Sequence, residues 1–381
     1  MNADLALPIS SPEAVARVLH RARSYVEQET PSGYEPGLIA LAERIEDELA
    51  ELGADVERHD APGRGRNLVA HVDGREPEAA PLVVLAHLDT VHPIGTLAQR
   101  PFAVVDGRAV GPGVYDMKTG AALFIEALAV LREQGRAPRR PLTFLITCDE
   151  EVGSHSARPL IEQAARTAAA VLVPEPCLPD GGVKTARKGV ATYRLRTTGR
   201  AGHAGLDPGV AVSAIAELLD QCLAAQALAR HELGTTVNIG LIGGGIATNV
   251  VAGEAWAGID VRLAVPAEGE RVHGALLDLQ PVRAGAAVQV VQTETRPPLV
   301  RTEPIVRLYQ QARALAAELG VDLTEGASGG GSDGSLAAFW GAPTLDGLGA
   351  RGGGAHTASE HVLVEDLPFR LALHRALLDR L

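Results

Sequence analysis

Histidine and acidic residues follow several short apolar runs of the chain, at positions where they could bind a metal ion. They are His87, Asp89, Asp116, Glu150, Glu151, Glu175 and His356. Imidazole and carboxylate groups both suit zinc, and a zinc-bound histidine usually donates its other N–H to an oxygen acceptor. His87 and Asp89 could supply a ligand and such an acceptor, because residues two apart at a strand end point to the same side.

Each of these residues also has an ordinary structural explanation. Asp116, in GPGVYDMK, could be a helix N-cap. Glu150 and Glu151 could be a surface charge pair, although six apolar or small residues directly precede Asp149. On an extended backbone these two glutamates would point opposite ways, so one could bind a metal while the other faces a substrate. Glu175 lies in a stiff Pro-Glu-Pro segment, and together the set favours one metal centre.

The predicted elements indicate an α/β fold with a mostly parallel sheet that is covered on both faces. The predicted strands are Pro81–Ala86, Leu142–Thr147, Ala170–Val173 and Ala342–Leu345. The predicted helices are Pro12–Gln28, Pro36–Leu52, Met117–Gln134, Ala157–Arg166 and Ile305–Leu319. Alternating strands and helices are typical of such sheets, whose ligand sites lie beyond the carboxyl ends of the strands. The acids and histidines follow the strands at that end.

The middle of the chain has a different pattern. Its predicted elements are strand Gly189–Thr198, helix Val210–Arg230, strand Thr235–Ile242, strand Glu254–Leu263, helix Gly269–Leu279 and strand Ala287–Thr295. This βαββαβ order is that of a ferredoxin-like α+β domain. We therefore expect a catalytic domain of residues 1–187 and 299–381, interrupted by an inserted domain of residues 188–298.

Composition excludes some partners. The formal net charge is −12, whereas nucleic-acid binding needs clustered Lys and Arg. The three cysteines, Cys148, Cys177 and Cys222, are too few and too scattered for a disulfide framework, which fits a reducing compartment. No signal peptide is visible, and no apolar run approaches the ~18 residues that a membrane span needs. We expect a soluble cytoplasmic protein with no membrane or nucleic-acid partner.

The motifs HLDTVHP, GPGVYDMKTG, DEEVGS and PEP, with the glycine-rich loop before His356, resemble a known family. It is the zinc metallopeptidase family of glutamate carboxypeptidase, aminoacylase, acetylornithine deacetylase and succinyl-diaminopimelate desuccinylase. The resemblance runs in order over nearly the whole chain. It is strongest to the glutamate carboxypeptidase branch, because HLDTVHPIGTLAQRPF followed by GPGVYDMK is similar to that branch's pattern.

The resemblance implies two zinc ions in each subunit. Its ligands would be His87 and Glu175 for one ion, Glu151 and His356 for the other, and Asp116 bridging both. Glu150 would be the general base and Asp89 the partner of His87. Two neutral imidazoles and three carboxylates carry roughly −3 against +4 from the metals, which favours hydroxide and a substrate oxyanion. Cobalt or manganese would also fit this mixed ligand set.

The resemblance also assigns residues outside the metal ligands. His203, in AGHAG, would act in the active site of a second subunit. This implies a homodimer formed through the inserted domain. The inserted domain would also be a lid. Asn249 and Arg262 would recognise the substrate, and Arg296 is a weaker candidate. Arg suits carboxylate recognition, although Arg262 could also be a solvated strand charge. Residues 329–333, including Gly330 and Ser332, would hold the substrate carboxylate; Ser335 departs from the family pattern and leaves the substrate less defined.

Three functions remain open from the sequence. The first is a metallocarboxypeptidase that releases C-terminal glutamate, or a similar acidic residue, from an N-acyl amino acid or short peptide. The second is an N-acyl amino acid deacylase or dipeptidase with another side-chain preference. The third is a non-catalytic binding protein on the same fold, against which the intact Glu150 argues.

Overall fold

The computed structural model describes residues 10–206 and 209–381. These residues form ten helices: α1 Pro12–Val26, α2 Glu35–Glu51, α3 Thr96–Gln99, α4 Thr119–Glu133, α5 Arg158–Thr167, α6 Ala214–Gln226, α7 Pro266–Leu277, α8 Glu303–Glu318, α9 Asp333–Phe339 and α10 Leu367–Arg380. The predicted helix over 210–230 is shorter than expected. Ser213 is its N-cap, since the Ser213 hydroxyl accepts a hydrogen bond from the Ala216 N–H at 3.1 Å.

The same residues form eighteen strands, many of them short. They are β1 Asp55–Ala61, β2 Gly65–Val72, β3 Leu82–His87, β4 Ala103–Val105, β5 Arg108–Val110, β6 Leu142–Thr147, β7 Ala170–Leu172, β8 Val183–Arg187, β9 Gly189–Thr198, β10 Gly202–His203, β11 Thr236–Gly244, β12 Val250–Val251, β13 Glu254–Leu263, β14 Ala287–Arg296, β15 Glu325–Ser328, β16 Thr344–Leu345, β17 Gly352–Gly353 and β18 His361–Leu363.

The chain divides into two compact units. The first contains the described residues up to Ala186 together with Arg301–Ser328 and Ser332–Leu381. The second contains Arg187–Val300 and the short segment Gly329–Gly331.

The main sheet of the first unit has the strand order β1-β2-β6-β3-β7-β16. The neighbours β6, β3, β7 and β16 are parallel, whereas β2 is antiparallel to both β1 and β6. The sheet is therefore mixed, and the expected parallel arrangement holds only for its four-strand part. Every residue of β3 and β6 is buried, so both faces are covered in the centre of the sheet.

A smaller antiparallel sheet in the same unit has the order β17-β18-β5-β4. His361 of β18 pairs with Val110 of β5, and Gly353 of β17 pairs with His361 on the other side. The pairing brings the turn that follows β5, residues 111–118, beside the glycine-rich loop that carries His356.

The second unit contains one four-stranded sheet of order β11-β13-β9-β14, in which all neighbours are antiparallel. Residues along β9 and β13 alternate between buried and more exposed positions. Their buried side chains, among them Leu195 and Ile259, form an apolar core with residues of α6 and α7 such as Leu218 and Val272. No helix in the described parts of the chain is both long and apolar enough to cross a bilayer.

The burial of His374 predicts that the first unit loses stability in acid. His374 lies on α10, fully buried, with its ring stacked on Phe124 of α4 at 3.9 Å between centroids, and its Nε2–H donates to the Leu348 carbonyl at 2.8 Å. Burial lowers the pKa of His374 to about 3. The unfolded chain, with a histidine pKa near 6.5, therefore binds a proton that the folded chain does not, and stability falls as the pH drops below about 6.5 towards 3.

We expect the His374→Gln variant, which keeps an N–H donor, to lose less stability in acid. Between pH 7.5 and pH 5 the wild-type free energy of unfolding should fall by about 2 kcal/mol more than that of the variant. Urea denaturation of both proteins in chelator, so that metal binding does not contribute, measures this difference. Equal losses in the two proteins would contradict the assignment of His374.

Candidate metal centre

His87 lies at the carboxyl end of the central strand β3 and is 2% exposed. Its Nδ1–H donates to the backbone carbonyl of Asp89 at 2.9 Å, which directs Nε2 towards two carboxylates. Nε2 lies 3.3 Å from Asp116 Oδ1 and 3.6 Å from Glu175 Oε1. A histidine whose Nδ1–H is fixed by a carbonyl presents an Nε2 lone pair that can bind a metal.

Asp116 lies between two histidines in the turn formed by residues 111–118. Its Oδ1 is 3.3 Å from His87 Nε2, and its Oδ2 is 3.3 Å from His356 Nε2. Burial alone would raise the pKa of Asp116, but the imidazoles of His356 and His87 lower it far below its usual value. The two oxygens of the Asp116 carboxylate therefore face two different imidazoles, one each. Sequence analysis left a helix N-cap as the alternative for Asp116, and the α4 helix begins only at Thr119.

Glu150 and Glu151 begin a short helical turn, Glu150–Val152. Two residues separate this turn from the end of β6. The expectation of an extended backbone with opposed side chains is wrong here. The carboxylate of Asp89 holds this turn: Oδ1 accepts the Glu150 N–H at 3.0 Å, and Oδ2 accepts the Glu151 N–H at 3.1 Å. Asp89 is fully buried, and its carboxylate is 3.5 Å from His87 Nδ1, so it contacts the turn more closely than the imidazole.

Glu175 lies between two prolines after β7 and is 6% exposed. Helix α4 begins against this segment, where a Cβ on Gly120 would lie only 2.0 Å from the Pro174 carbonyl oxygen. Only glycine allows this close approach. The backbone carbonyl of Glu175 also accepts the Gly349 N–H at 2.8 Å, which fixes the segment on its other side.

His356 follows the glycines of β17 and lies opposite Glu151. Its Nε2 is 3.3 Å from Asp116 Oδ2 and 3.4 Å from Glu151 Oε1. Its φ of 63° places it in the left-handed region, which histidine occupies more readily than most residues. The carboxylates of Asp116 and Glu151 raise the pKa of His356 to about 10.

The donor set fits divalent cations. The distances between imidazole and carboxylate atoms, 3.3–3.6 Å, are longer than good charge-assisted hydrogen bonds. They match the edge of a tetrahedron whose metal–ligand bonds are about 2.0–2.2 Å long. Glu151 Oε1 is buried without a well-formed hydrogen bond. Burial by itself would lower the pKa of His87, but the acids raise it well above its usual value, so the cluster attracts positive charge.

Proximity alone does not separate ligand from base among the acids. His87, Glu150 and Glu175 have potential ligand atoms within 4.8 Å of one another, and the same holds for His87, Asp116 and Glu151. The oxygens of Asp116 and Glu175 lie within 3.6 Å of His87 Nε2.

Two predicted substrate residues meet in the second unit. His203 of β10 pairs with Val250 of β12, and the Ala204 N–H donates to the Asn249 carbonyl at 3.0 Å. Both His203 and Asn249 are exposed, and His203 Nδ1 accepts the Gly205 N–H at 3.1 Å.

The predicted arginines differ in their surroundings. Arg262 makes a two-pronged ion pair with Asp260, with distances of 2.8 and 2.9 Å, because residues two apart on a strand share a face. Arg296 is 6% exposed, and its Nε lies 3.8 Å from Glu294 Oε1. Sequence analysis did not find the partner Asp260, although it stands two residues before Arg262.

The two loop residues belong to different units. The Gly330 carbonyl accepts a hydrogen bond from Arg187 Nη1 at 3.2 Å within the second unit. Ser332, in the first unit, is fully buried; its hydroxyl donates to Asp346 Oδ2 at 2.5 Å and accepts the Gly334 N–H at the start of α9. The expected contact of Ser332 with a substrate is therefore not visible in this structure, because the whole residue is buried.

Two residues that contact the predicted metal ligands could not be found from the sequence. Met117 Sδ accepts the His87 N–H at 3.3 Å, and the Glu360 carboxylate accepts the Asp116 N–H at 3.1 Å. Neither has a spacing signal of its own. An acid four residues after His356 is a weak hint, because a buried backbone turn needs acceptors for its N–H groups.

Two histidines and several acids at the carboxyl edge of an α/β sheet form an arrangement that suits a metal-dependent hydrolase. Residues 83–380 match the profile of peptidase family M20/M25/M40, and the chain belongs to this family. The family resemblance predicted from the motifs is thus confirmed, and the protein is a metallopeptidase or amidohydrolase.

Relatives of known name agree with this assignment. The chain is 32% identical over 364 residues to carboxypeptidase G2 of Pseudomonas sp. (strain RS-16), covering 93% of this chain and 86% of the relative. It is 30% identical to a succinyl-diaminopimelate desuccinylase of Verminephrobacter eiseniae (strain EF01-2), covering 96% and 97%. Among solved structures, the aminopeptidase PepT of Bacillus cereus ATCC 10987 matches with a TM-score of 0.80 and 25% identity, covering 96% and 98%.

Proposed function

We propose that the protein is a two-zinc carboxypeptidase that cleaves the amide bond next to a free carboxylate and releases C-terminal glutamate or a similar acidic residue. The observation that carries the two-metal proposal is the position of Asp116, whose two oxygens each lie 3.3 Å from a different histidine. The preference for glutamate is supported by the motif pattern of the glutamate carboxypeptidase branch and by the similarity to a carboxypeptidase.

In this proposal each zinc has one histidine and one glutamate of its own. His87 and Glu175 would hold the first ion, Glu151 and His356 would hold the second, and Asp116 would bridge them. The assignment is supported by the distances of 3.6 Å from His87 Nε2 to Glu175 and of 3.4 Å from His356 Nε2 to Glu151.

The remaining acid, Glu150, is the proposed general base. Bound zinc would supply a Lewis acid that polarises the scissile carbonyl and lowers the pKa of a bound water to about 7. Glu150 accepts the proton of the attacking water and later transfers it to the leaving nitrogen. Its backbone is fixed through Asp89, and its side chain is 8% exposed, so little bulk water surrounds the carboxylate.

We assign substrate recognition and dimer formation to the second unit, as the family resemblance implies. His203 would act on a second subunit's substrate, and Asn249, Arg262 and Arg296 would recognise the substrate. The loop with Gly330 of the second unit and Ser332 of the first would hold the substrate carboxylate. We also propose that the protein works in the reducing cytoplasm, since Cys148, Cys177 and Cys222 are all free thiols in buried positions.

Metal removal tests the proposed function. We expect the purified protein to release glutamate from N-acyl glutamate and from dipeptides, to lose this activity in a chelator, and to regain it with added zinc. A panel of N-acyl amino acids and dipeptides, assayed for free amino acid, measures both metal dependence and preference. Activity that survives complete metal removal, verified by elemental analysis, would contradict the mechanism.

A second candidate is an N-acyl amino acid deacylase with another side-chain preference. The ion pair of Arg262 with Asp260 favours it, because it neutralises a cation that an acidic side chain would need. In the same panel, faster release of a neutral or basic residue than of glutamate would support this candidate and keep the two-metal mechanism.

A further inference from the structure

Glu360 is a buried acid that no part of the proposed mechanism uses. Its carboxylate accepts four hydrogen bonds: Oε1 from the N–H groups of Tyr115 at 2.9 Å and Asp116 at 3.1 Å, and Oε2 from the Gly113 N–H at 2.9 Å and the His92 ring at 2.5 Å. The side chain is 0% exposed. Three of its four donors are backbone groups of the turn that carries Asp116.

The backbone of this turn depends on Glu360. Gly113 has a φ of 73°, and Asp116 and Met117 have non-helical backbone angles, so the turn does not follow a regular hydrogen-bond ladder. Buried N–H groups without a ladder need other acceptors. One carboxylate satisfies three of them together, and this fixes the position from which the Asp116 side chain extends.

His92 stabilises Glu360 through a hydrogen bond, and Arg100 in turn stabilises His92. Arg100 Nη2 donates to His92 Nδ1 at 3.2 Å, so Nδ1 is the acceptor and His92 Nε2 carries the proton that is donated to Glu360. Arg100 Nη1 also donates to the Thr357 carbonyl at 2.8 Å, one residue after His356. The same group of residues therefore joins the Asp116 turn to the loop of His356.

The hydrogen bond from Arg100 to Thr357 connects a loop whose residues 356–359 are exposed. The His356 side chain is 51% exposed, and the loop contains Gly352, Gly353 and Gly354. Yet Asp116 Oδ2 and His356 Nε2 must keep the separation of 3.3 Å for one ion to contact both. Metal–ligand bonds are expected to lie within about 0.2 Å of their ordinary lengths, which restricts the separation of two ligand atoms on one ion.

We propose that Glu360 is a positioning residue of the metal centre. Acting through the backbone of residues 113–116, it holds the Asp116 carboxylate between His87 and His356, and His92 and Arg100 keep Glu360 in place. The inference rests on the proposed function, in which Asp116 bridges two metals.

The test compares two buried glutamates in similar surroundings. Glu217 in the second unit is also fully buried and accepts two backbone N–H groups, those of Val282 and Arg283, each at 2.9 Å. Glu360→Gln and Glu217→Gln both remove the charge of a carboxylate that holds a turn. Both variants should unfold at a lower temperature than the wild type, but only Glu360→Gln should affect metal binding.

We expect Glu360→Gln to bind zinc about 10–100-fold more weakly than the wild type. This range is typical of mutations in residues that hydrogen-bond to metal ligands. Titration of the metal-free protein against a competing zinc indicator measures this affinity. With Co²⁺ in place of zinc, the visible absorption of Glu360→Gln should change in position or intensity, whereas Glu217→Gln should keep the wild-type spectrum. An unchanged zinc affinity and cobalt spectrum in Glu360→Gln would overturn the proposal.

A second pair of variants leaves Glu360 in place and covers the case in which Glu360→Gln does not fold. His92→Leu removes the donor to Glu360 and should weaken zinc binding, whereas His92→Gln, whose amide can donate, should recover part of the affinity. Equal, wild-type affinity in both would also overturn the proposal. These titrations need no substrate, so a wild-type chain that binds zinc but hydrolyses nothing contradicts the proposed function alone.

Discussion

Replacing Glu150, the proposed general base, by glutamine is expected to lower kcat by about 100- to 10,000-fold without loss of bound metal. Glutamine has the same shape, and the Glu150 backbone N–H would still donate to Asp89 Oδ1, so the turn should keep its position. The amide cannot accept the proton of the attacking water. The measurement is steady-state kcat together with the zinc content per subunit after dialysis.

The neighbouring acid provides the matched control for this variant. Glu151→Gln makes the same chemical change one residue further along the same turn, but it removes an oxygen that lies 3.4 Å from His356 Nε2. We expect it to lose zinc, and to regain activity in part at high zinc concentration. If Glu150→Gln loses zinc in the same way, or keeps wild-type kcat, the general base is not Glu150.

The Asp116→Asn variant should lose metal binding more completely than any other single change. It removes one negative charge and one oxygen acceptor from the position between His87 and His356. The loss of zinc affinity should exceed the roughly 10–100-fold loss that is typical of mutations in residues that hydrogen-bond to metal ligands. Zinc content and kcat/KM should therefore fall together, as measured by elemental analysis and by release of the free amino acid.

Asp379→Asn is the control for Asp116→Asn. Asp379 is also a buried aspartate, but it pairs with Arg75 and Arg136 at the end of α10, at 2.8 and 2.7 Å. This variant should be less stable than the wild type and still bind zinc at the wild-type level. An Asp116→Asn protein that retains two tightly bound zinc ions would contradict the bridging role.

The sequence predicts the parallel part of the main sheet well because its strands are apolar throughout. Leu142–Thr147 is a strand with the bounds that we expected, and β3 and β7 differ by a residue at their ends. The antiparallel strands β1 and β2 were not predicted. β1 is largely exposed and rich in charged residues, so neither a continuous apolar run nor a clear alternation marks it.

The candidate site also has parts that the sequence predicts and parts that it does not. Residues directly after apolar strands, such as His87 and Glu175, can be found from sequence, because the strand fixes where they lie. The local backbone conformation cannot be predicted in this way. The helical turn of Glu150 and Glu151 depends on two hydrogen bonds to Asp89, which is more than 60 residues away in sequence. Glu360 is similar, since its partners in residues 113–116 are brought to it by the pairing of β18 with β5.

The order β6-β3-β7 also constrains the length of the side chains at the sheet edge. The central strand β3 ends in His87, while the acid Glu175 follows its neighbour β7, about 4.8 Å away across the ladder. A side chain from a neighbouring strand must cover that lateral distance to reach an ion near His87. Aspartate, shorter by one carbon–carbon bond of about 1.5 Å, would fall short unless the backbone moved. Exchange of Glu175 for aspartate would thus change the geometry of the site although the charge and the type of donor atom stay the same.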